Sequence, residues 1–248
     1  MRLWKKIILL GLLAIIVFFA VDVGRYIFYP DISGLVKKRP GKTAFMEYRE
    51  KSWQEKGINK KISVSWASLS QISPYVMKAV IIAEDDKFWS HEGFDFEAMQ
   101  KALEKDFQKK KFKAGGSTIS QQLAKNLYLS PAKNPVRKIK EAILTWRIEQ
   151  KLSKRRILEL YLNVAEWGDG LFGIETAARK YYGKPARDLT PREAATLAAA
   201  LPNPRRFRPD GKSRYAANRA ERIHQIMVRR GIVIEDYDDV IKDDEKNT

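Results

Sequence analysis

The sequence predicts a mainly α-helical protein, with one membrane-spanning helix at its N-terminus and a globular helical domain after it. Three observations predict this. Ile7 to Val21 is an unbroken apolar run of 15 residues. From Pro74 to Gly231 apolar residues recur at helical spacing. Alternating strand patterns are few.

The apolar run alone is short for a span, which needs roughly 20 mostly apolar residues. Trp4 before it and Tyr26, Phe28 and Tyr29 after it extend the usable length. From Trp4 to Tyr26 a helix covers about 34 Å at ~1.5 Å per residue, with aromatic belts at both ends. The run ends FFAVDVG, which lacks the small-x-small site of a cleaved signal peptide, so we read a retained anchor. Arg2, Lys5 and Lys6 precede it, placing the N-terminus in the cytoplasm by the positive-inside rule and the domain across the membrane.

Residues 24–57 mix Pro30, Pro40, aromatics and basic residues without sustained periodicity, as a linker does. The expected division is thus an anchor over 1–23, a linker over 24–57, a domain over 58–231 and a polar tail over 232–248. Within the domain, Pro74 starts a helix through YVMKAVIIAED. Met77, Val80 and Ile81 share its apolar face, and Glu84 continues that face. A carboxyl at the end of a buried stripe is partly desolvated, which raises its pKa. A second helix runs from Pro135 to about Leu152 on the stripe Ile139, Ala142, Ile143 and Trp146. Arg137 and Lys138 lie four and three residues before Glu141, within reach of its carboxylate. Ser153 caps a helix ending near Asn163. Gly173 to Gly183, Pro191 to Leu201 and Tyr215 to Gly231 follow, with Thr190 and Glu193 forming a capping box.

The chain has 248 residues, 44% hydrophobic, enough for a real core. Lys and Arg number 47 against 30 Asp and Glu, a formal net charge of +17, so an anionic partner is expected. Cysteine is absent, which excludes disulfides and thiolate metal sites.

Three stretches carry chemistry. EDDKFWSHEG, Glu84 to Gly93, puts three acids at a helix C-terminus, where they oppose the macrodipole and need a reason to be there. A lone His91 is more simply a hydrogen-bonded loop organiser than a metal ligand. AGGSTISQQLAKN, Ala114 to Asn126, combines glycines, hydroxyls, amides and a lysine at a helix start, a setting for an anion, but lacks Walker spacing. DFQKKKFK, Asp106 to Lys113, interleaves rings and lysines. It suits an anionic membrane surface or an ordinary solvated loop. Ser130 to Lys133 is a chance S-x-x-K, with no K-T-G partner.

Together these stretches resemble the peptidoglycan glycosyltransferase family. EDDKFWSHEG is similar to its ED-x-x-F-x-x-H-x-G motif, and AGGSTISQQLAKN to G-x-ST-x-x-QQ-x-x-KN. RKIKEAILTWRIE, Arg137 to Glu149, is similar to RK-x-x-E with a later Glu, and KRRILELYLN, Lys154 to Asn163, to K-x-x-ILE-x-YLN. Order and spacing fit across about Ile72 to Arg208. Thr145 stands where alanine is frequent. The chain ends before a transpeptidase domain would fit, so the resemblance is to the family's stand-alone members.

The resemblance implies a lysozyme-like fold with a small membrane-proximal jaw. It implies lipid II and a growing glycan chain as substrates, joined by β-1,4 bonds with release of undecaprenyl diphosphate in the bacterial cytoplasmic (inner) membrane. Glu84 and Glu141 are the implied catalytic pair, Glu84 as base. Ser117, Thr118, Gln122, Lys125, Asn126, Arg137 and Lys138 are implied to bind substrate. Asp85, Phe88 and His91 shape the Glu84 loop. Glu141 is implied to position the cations, help hold a divalent cation (Mg or Mn), or assist the leaving group. Protein partners would come from cell-wall synthesis or division; an extracytoplasmic domain argues against nucleic acid. A lysozyme-type hydrolase and a non-enzymatic membrane scaffold are the rival classes. Neither gives a reason for carboxylates beside a basic cluster.

Overall fold

The structure is a computed structural model, and it describes residues 3–109, 116–131 and 134–233. Lys110 to Lys113 of the basic-aromatic stretch, Ala114, Gly115, Lys133 and the tail from residue 234 lie outside the described residues. Helix α1 is Leu3–Gly24, exposed as far as Val21 and half-buried over Asp22, Val23 and Gly24, and the apolar stretch continues to Ile27 with mean hydropathy 2.8. At ~1.5 Å per residue its 22 residues reach about 33 Å, long enough to cross a hydrocarbon core.

The domain is built from α2 (Ala44–Gln54), α3 (Pro74–Glu84), α4 (Phe96–Lys109), α5 (Ile119–Tyr128), α6 (Pro135–Lys151), α7 (Lys154–Val164), α8 (Ile174–Tyr182), α9 (Pro191–Ala200) and α10 (Arg214–Arg229). A small sheet joins β1 (Ser63–Val64), β2 (Glu166–Gly168) and β3 (Leu171–Phe172) in the order β1-β3-β2, β1 parallel and β2 antiparallel to β3. The caps follow the sequence. Ser73, Thr118, Asn134, Ser153, Thr190 and Ser213 each accept an early backbone N–H of the helix that follows. Prolines occupy the first turns of α3, α6 and α9.

Helix α5 is the packing centre, touching α2, α6 and α7, while α3 packs on α9 and α10. Its residues Ile119, Leu123 and Ala124 are fully buried, and Leu144, Ile148, Ile157, Leu158 and Leu160 complete the core around it. Asn163 ties α7 to the strand side: its amide donates to the Ala67 and Glu159 carbonyls, and its Oδ1 accepts from Ala67 N–H.

Three features differ from the sequence reading. The face of α6 that is buried carries Glu141, Leu144, Thr145 and Ile148, whereas Ile139 and Trp146 of the expected stripe are each 53% exposed. The stretch read as a linker holds α2, which buries Met46, Arg49 and Trp53. Its anchor is a buried two-bond ion pair, Arg49 Nε and Nη2 to Glu166 at 2.9 and 2.5 Å. A helix held by one arginine and two large side chains leaves no sustained apolar stripe to read. Helix α4 was hidden because Asp106 to Lys113 was weighed only as a charged surface stretch.

The anchor is docked rather than merely tethered. Arg147 of α6 donates to the Tyr26 and Phe28 carbonyls at 3.0 Å each, and Lys140 Nζ bonds Asp22 at 2.5 Å.

Gly173, between β3 and α8, has φ +84, and a Cβ there would lie 2.7 Å from the Ser65 carbonyl oxygen and 3.1 Å from that of Asn163. Both neighbours are backbone and cannot swing aside. Gly173→Ala is expected to cost about 2 kcal/mol or more, combining left-handed strain with the clash, and thermal denaturation of the purified protein measures it.

Candidate active site

Glu84 is the last residue of α3, and its side chain is only 11% exposed. Its Oε2 accepts from the Gln122 amide at 2.9 Å and its Oε1 from Arg219 Nη2 at 3.0 Å. The Tyr161 hydroxyl donates to Gln122 Oε1 at 3.0 Å, which fixes the amide orientation so that its NH2 faces Glu84. Burial pushes the Glu84 carboxyl above its ordinary value, against the pull of Gln122, Arg219 and Lys125. The desolvation expected from its place on the apolar stripe is therefore present.

The acids that follow Glu84 have partners, which answers the macrodipole objection. Asp85 is buried, and accepts from His91 Nε2 at 2.9 and 3.0 Å and from the Ile119 N–H at 2.9 Å. Gly93 N–H donates to His91 Nδ1, so the ring proton belongs on Nε2, facing Asp85. His91 is thus the loop organiser read from sequence. Phe88 is fully buried, with Lys154 Nζ 4.7 Å from its ring centroid. Asp86 pairs with Arg230 of the segment after α10 at 2.5 and 2.8 Å.

Glu141 is 2% exposed, in the first half of α6. Arg137 Nη1 reaches its Oε2 at 2.5 Å, and Lys138 bonds its Oε1. The i+4 and i+3 neighbours predicted from sequence are the ones found. Lys138 also donates to Ser117 Oγ at 3.3 Å, which brings α6 to the start of α5. Burial lowers the pKa of Lys125 from its ordinary value, opposed by the charges of Glu141 and Glu84.

Of the residues grouped in sequence as one substrate-binding set, Arg137 and Lys138 line neither of two clefts near Glu84, and the others divide between them. A cleft of about 270 Å³ is lined by Glu84, Ser117 and Thr118 together with Asp95, Glu97 and Lys101. A second, of about 220 Å³, is lined by Gln122, Lys125, Asn126, Arg49 and Arg205. The Glu84–Gln122 hydrogen bond joins one to the other. Thr118 is less available than its neighbours: it is 2% exposed, caps α5 and donates to the Gly93 carbonyl at 2.7 Å. Asn126 is 6% exposed on the second cleft.

The donor set around Glu141 does not fit a protein-held divalent cation. Both carboxylate oxygens carry cationic partners, and among the described residues no group of three or more acids and histidines gathers at one point.

Sequence reasoning missed Arg219, Tyr161 and Arg49. Arg219 had a signal: Arg219, Ile223 and Met227 recur every four residues, so the arginine extends the buried face of α10. Arg49 and Glu166, 117 residues apart, had none.

Comparison with known proteins matches the Transglycosylase family model to residues 51–228. A biosynthetic peptidoglycan transglycosylase of Azoarcus sp. (strain BH72) is 53% identical over 188 residues, 76% of this chain and 81% of the relative. One from Aromatoleum aromaticum (strain DSM 19018 / LMG 30748 / EbN1) is 53% identical over 189 residues, 76% of this chain and 82% of the relative. One from Dechloromonas aromatica (strain RCB) is 46% identical over 204 residues, 82% and 86% of the two chains.

Asp85→Asn replaces one acceptor oxygen by a donor between His91 and the α5 N-terminus. It is expected to lower stability by about 1–3 kcal/mol and turnover with it; thermal denaturation and an activity assay on the same preparation check both.

Proposed function

The chain belongs to the transglycosylase family, and on that premise we propose how its site polymerises lipid II into glycan strands for cell-wall synthesis. The observation that carries the reading is the unequal treatment of the two carboxylates. Glu84 is buried with one cation and one amide, while Glu141 is neutralised by two cations one helical turn away.

Glu84 is the general base. It takes the proton from the acceptor sugar's 4-hydroxyl as that oxygen attacks the anomeric carbon of the lipid-linked chain. The C–O bond to the diphosphate breaks with inversion, and the bond electrons leave with undecaprenyl diphosphate. A carboxyl raised by burial is a better base than an exposed glutamate once ionised. Lys125, Arg137 and Lys138 meet the negative charge that develops on the diphosphate. Glu141 holds Arg137 and Lys138 in place before the substrate arrives, so their orientation costs little during the reaction. Ser117, Gln122 and Asn126 line the sugar and diphosphate path, and Thr118 serves it by fixing the α5 N-terminus. No step is routed through a metal ion.

The proposed location is the cytoplasmic membrane, crossed once by α1, with the site on its outer face. Its length and hydropathy support the span, and Arg2, Lys5 and Lys6 support a cytoplasmic N-terminus by the positive-inside rule. Docking of α6 on Asp22, Tyr26 and Phe28 holds the cations close to the anchor's end, at the level where a lipid diphosphate sits.

Glu84→Gln is expected to reduce lipid II polymerisation by about 100-fold or more, the usual size of a general-base contribution, with folding retained on circular dichroism. Wild-type turnover in that variant would end the base assignment. The wild-type kcat/KM should rise with pH through a limb above the range of an exposed glutamate, because burial raises the carboxyl that must ionise. Lys138→Ala should raise KM for lipid II by roughly tenfold, from loss of one charge-assisted contact, measured by initial rates across substrate concentration.

A further inference from the structure

We propose that Arg219 is a positioning residue for the Glu84 carboxylate, holding it in the orientation from which it accepts the substrate's proton. The inference rests on the reading of Glu84 as base, and adds a residue that none of the four recognised sequence motifs contains.

Helix α10 buries Ile223 and Met227 against α9 and α3. Arg219 lies one turn before Ile223 on the same face, so the packing that seats α10 also delivers the guanidinium to the C-terminal end of α3. There Nη2 makes two hydrogen bonds, to the Ala83 carbonyl at 2.8 Å and to Glu84 Oε1 at 3.0 Å. The first satisfies one of the last carbonyls of α3, which have no intrahelical partner. The second fixes the carboxylate that follows. One nitrogen thus ties the base's backbone and its side chain to a helix more than 130 residues away in sequence.

Gln122 holds the other oxygen, so each carboxylate oxygen has its own donor from a different helix. They differ in kind. The amide of Gln122 orients without charge; Arg219 brings a positive charge that favours the ionised form against burial. The other groups facing Glu84 are Lys125 from α5, Tyr161 from α7, its neighbour Asp85, and Asp95, Glu97 and Lys101 across the first cleft. Lys125 is a second cation whose charge acts on Glu84, and its own ammonium is disfavoured by burial. Removing Arg219 therefore leaves the base with weakened support for its charge.

The sign of the effect follows. A general base works in its ionised form, so loss of a cation that favours ionisation moves the acid limb of kcat to higher pH. Near pH 6 the loss should be large, and at alkaline pH it should shrink.

The test uses the full-length, detergent-solubilised protein with lipid II, and records kcat and KM from pH 5 to 9. Arg219→Gln keeps a polar amide on the same stem but carries no charge and ends two bonds short of Nη2. Its expected result is an acid limb displaced to higher pH, kcat reduced about tenfold or more near pH 6, and KM within about twofold of wild type. Arg219→Lys keeps the charge without the planar fork. Its limb should stay near that of wild type while kcat falls at every pH. A role confined to supporting α3 would lower the melting temperature of both variants and leave the pH profile of the folded fraction unmoved; that result overturns the proposal. A folded Arg219→Gln with wild-type kcat across the range also overturns it. If Arg219→Gln does not fold, Arg219→Lys decides: unchanged kcat refutes positioning. Glu84→Gln in the same series separates this inference from the one beneath it. An active Glu84→Gln enzyme sinks the base itself, whereas an inactive one beside a wild-type-like Arg219→Gln sinks the role of Arg219 alone.

Discussion

The buried Asp85 carboxylate joins the end of α3 to the beginning of α5, and the geometry of the site hangs on that junction. One of its oxygens takes the Ile119 N–H at the start of α5, and both lie within hydrogen-bond distance of His91. A carboxylate at a helix C-terminus is repelled by that helix's own dipole, whereas the N-terminus of another helix attracts it. Asp85 resolves the first cost with the second gain. Because Glu84 is its chain neighbour, fixing Asp85 to α5 sets Glu84 beside Gln122, one turn further along α5. The proposed base therefore owes its place to its chain neighbour.

A second consequence concerns the two acids that looked alike in sequence. Both are nearly inaccessible, but charge compensation separates them. Glu141 takes Arg137 and Lys138 from its own helix, at i−4 and i−3, so it and its cations move as one rigid unit. Glu84 draws its support from α5 and α10, two helices that meet α3 only through tertiary packing. A group that must exchange a proton is held by contacts that favour one ionic form without locking it, while a group that holds cations is saturated by them. The division is written in the charge of the partners, one cation for Glu84 and two for Glu141, and not in burial.

How much of this could be read in the chain depends on how far apart the partners lie. The helices α3, α6, α7, α8, α9 and α10 were legible from signals inside each segment, among them Pro74, Pro135, the Ser153 cap and Thr190 with Glu193, although the stripe read on α6 is not its buried face. Glu141 with Arg137 and Lys138 was legible for the same reason, since helical spacing alone makes them neighbours. Helix α2 was not, because what holds it is a single ion pair to Glu166 and two large side chains, a tertiary arrangement with no local periodicity. The split of the substrate-lining residues into two clefts was also invisible. Ser117 and Gln122 lie five residues apart, but Ser117 precedes α5 and lines one cleft while Gln122 lies within α5 and lines the other.

The same logic explains why the third and fourth motifs carry so many residues that touch neither cleft. Glu149 of α6 accepts from Ser120 of α5 and, at 2.7 Å, from Lys154 at the start of α7, whose ammonium also sits over the Phe88 ring. Gly93, at φ +92, lies against Thr145 and Glu149, with no room for a Cβ between them. Three helices and the Glu84 loop thus close on one buried polar chain, each member satisfied by another. Such a network costs much if any one partner is lost, since the remaining buried group keeps its desolvation penalty. It fixes α6 against α5, and so sets the distance between Arg137 and Lys138 on one side and Glu84 on the other. Glycosyl transfer needs that distance held while a long lipid-linked chain enters and leaves. A core of aliphatic side chains can slide by a fraction of an ångström, but paired buried charges resist that movement, which is a physical reason for polar residues at positions that never meet the substrate.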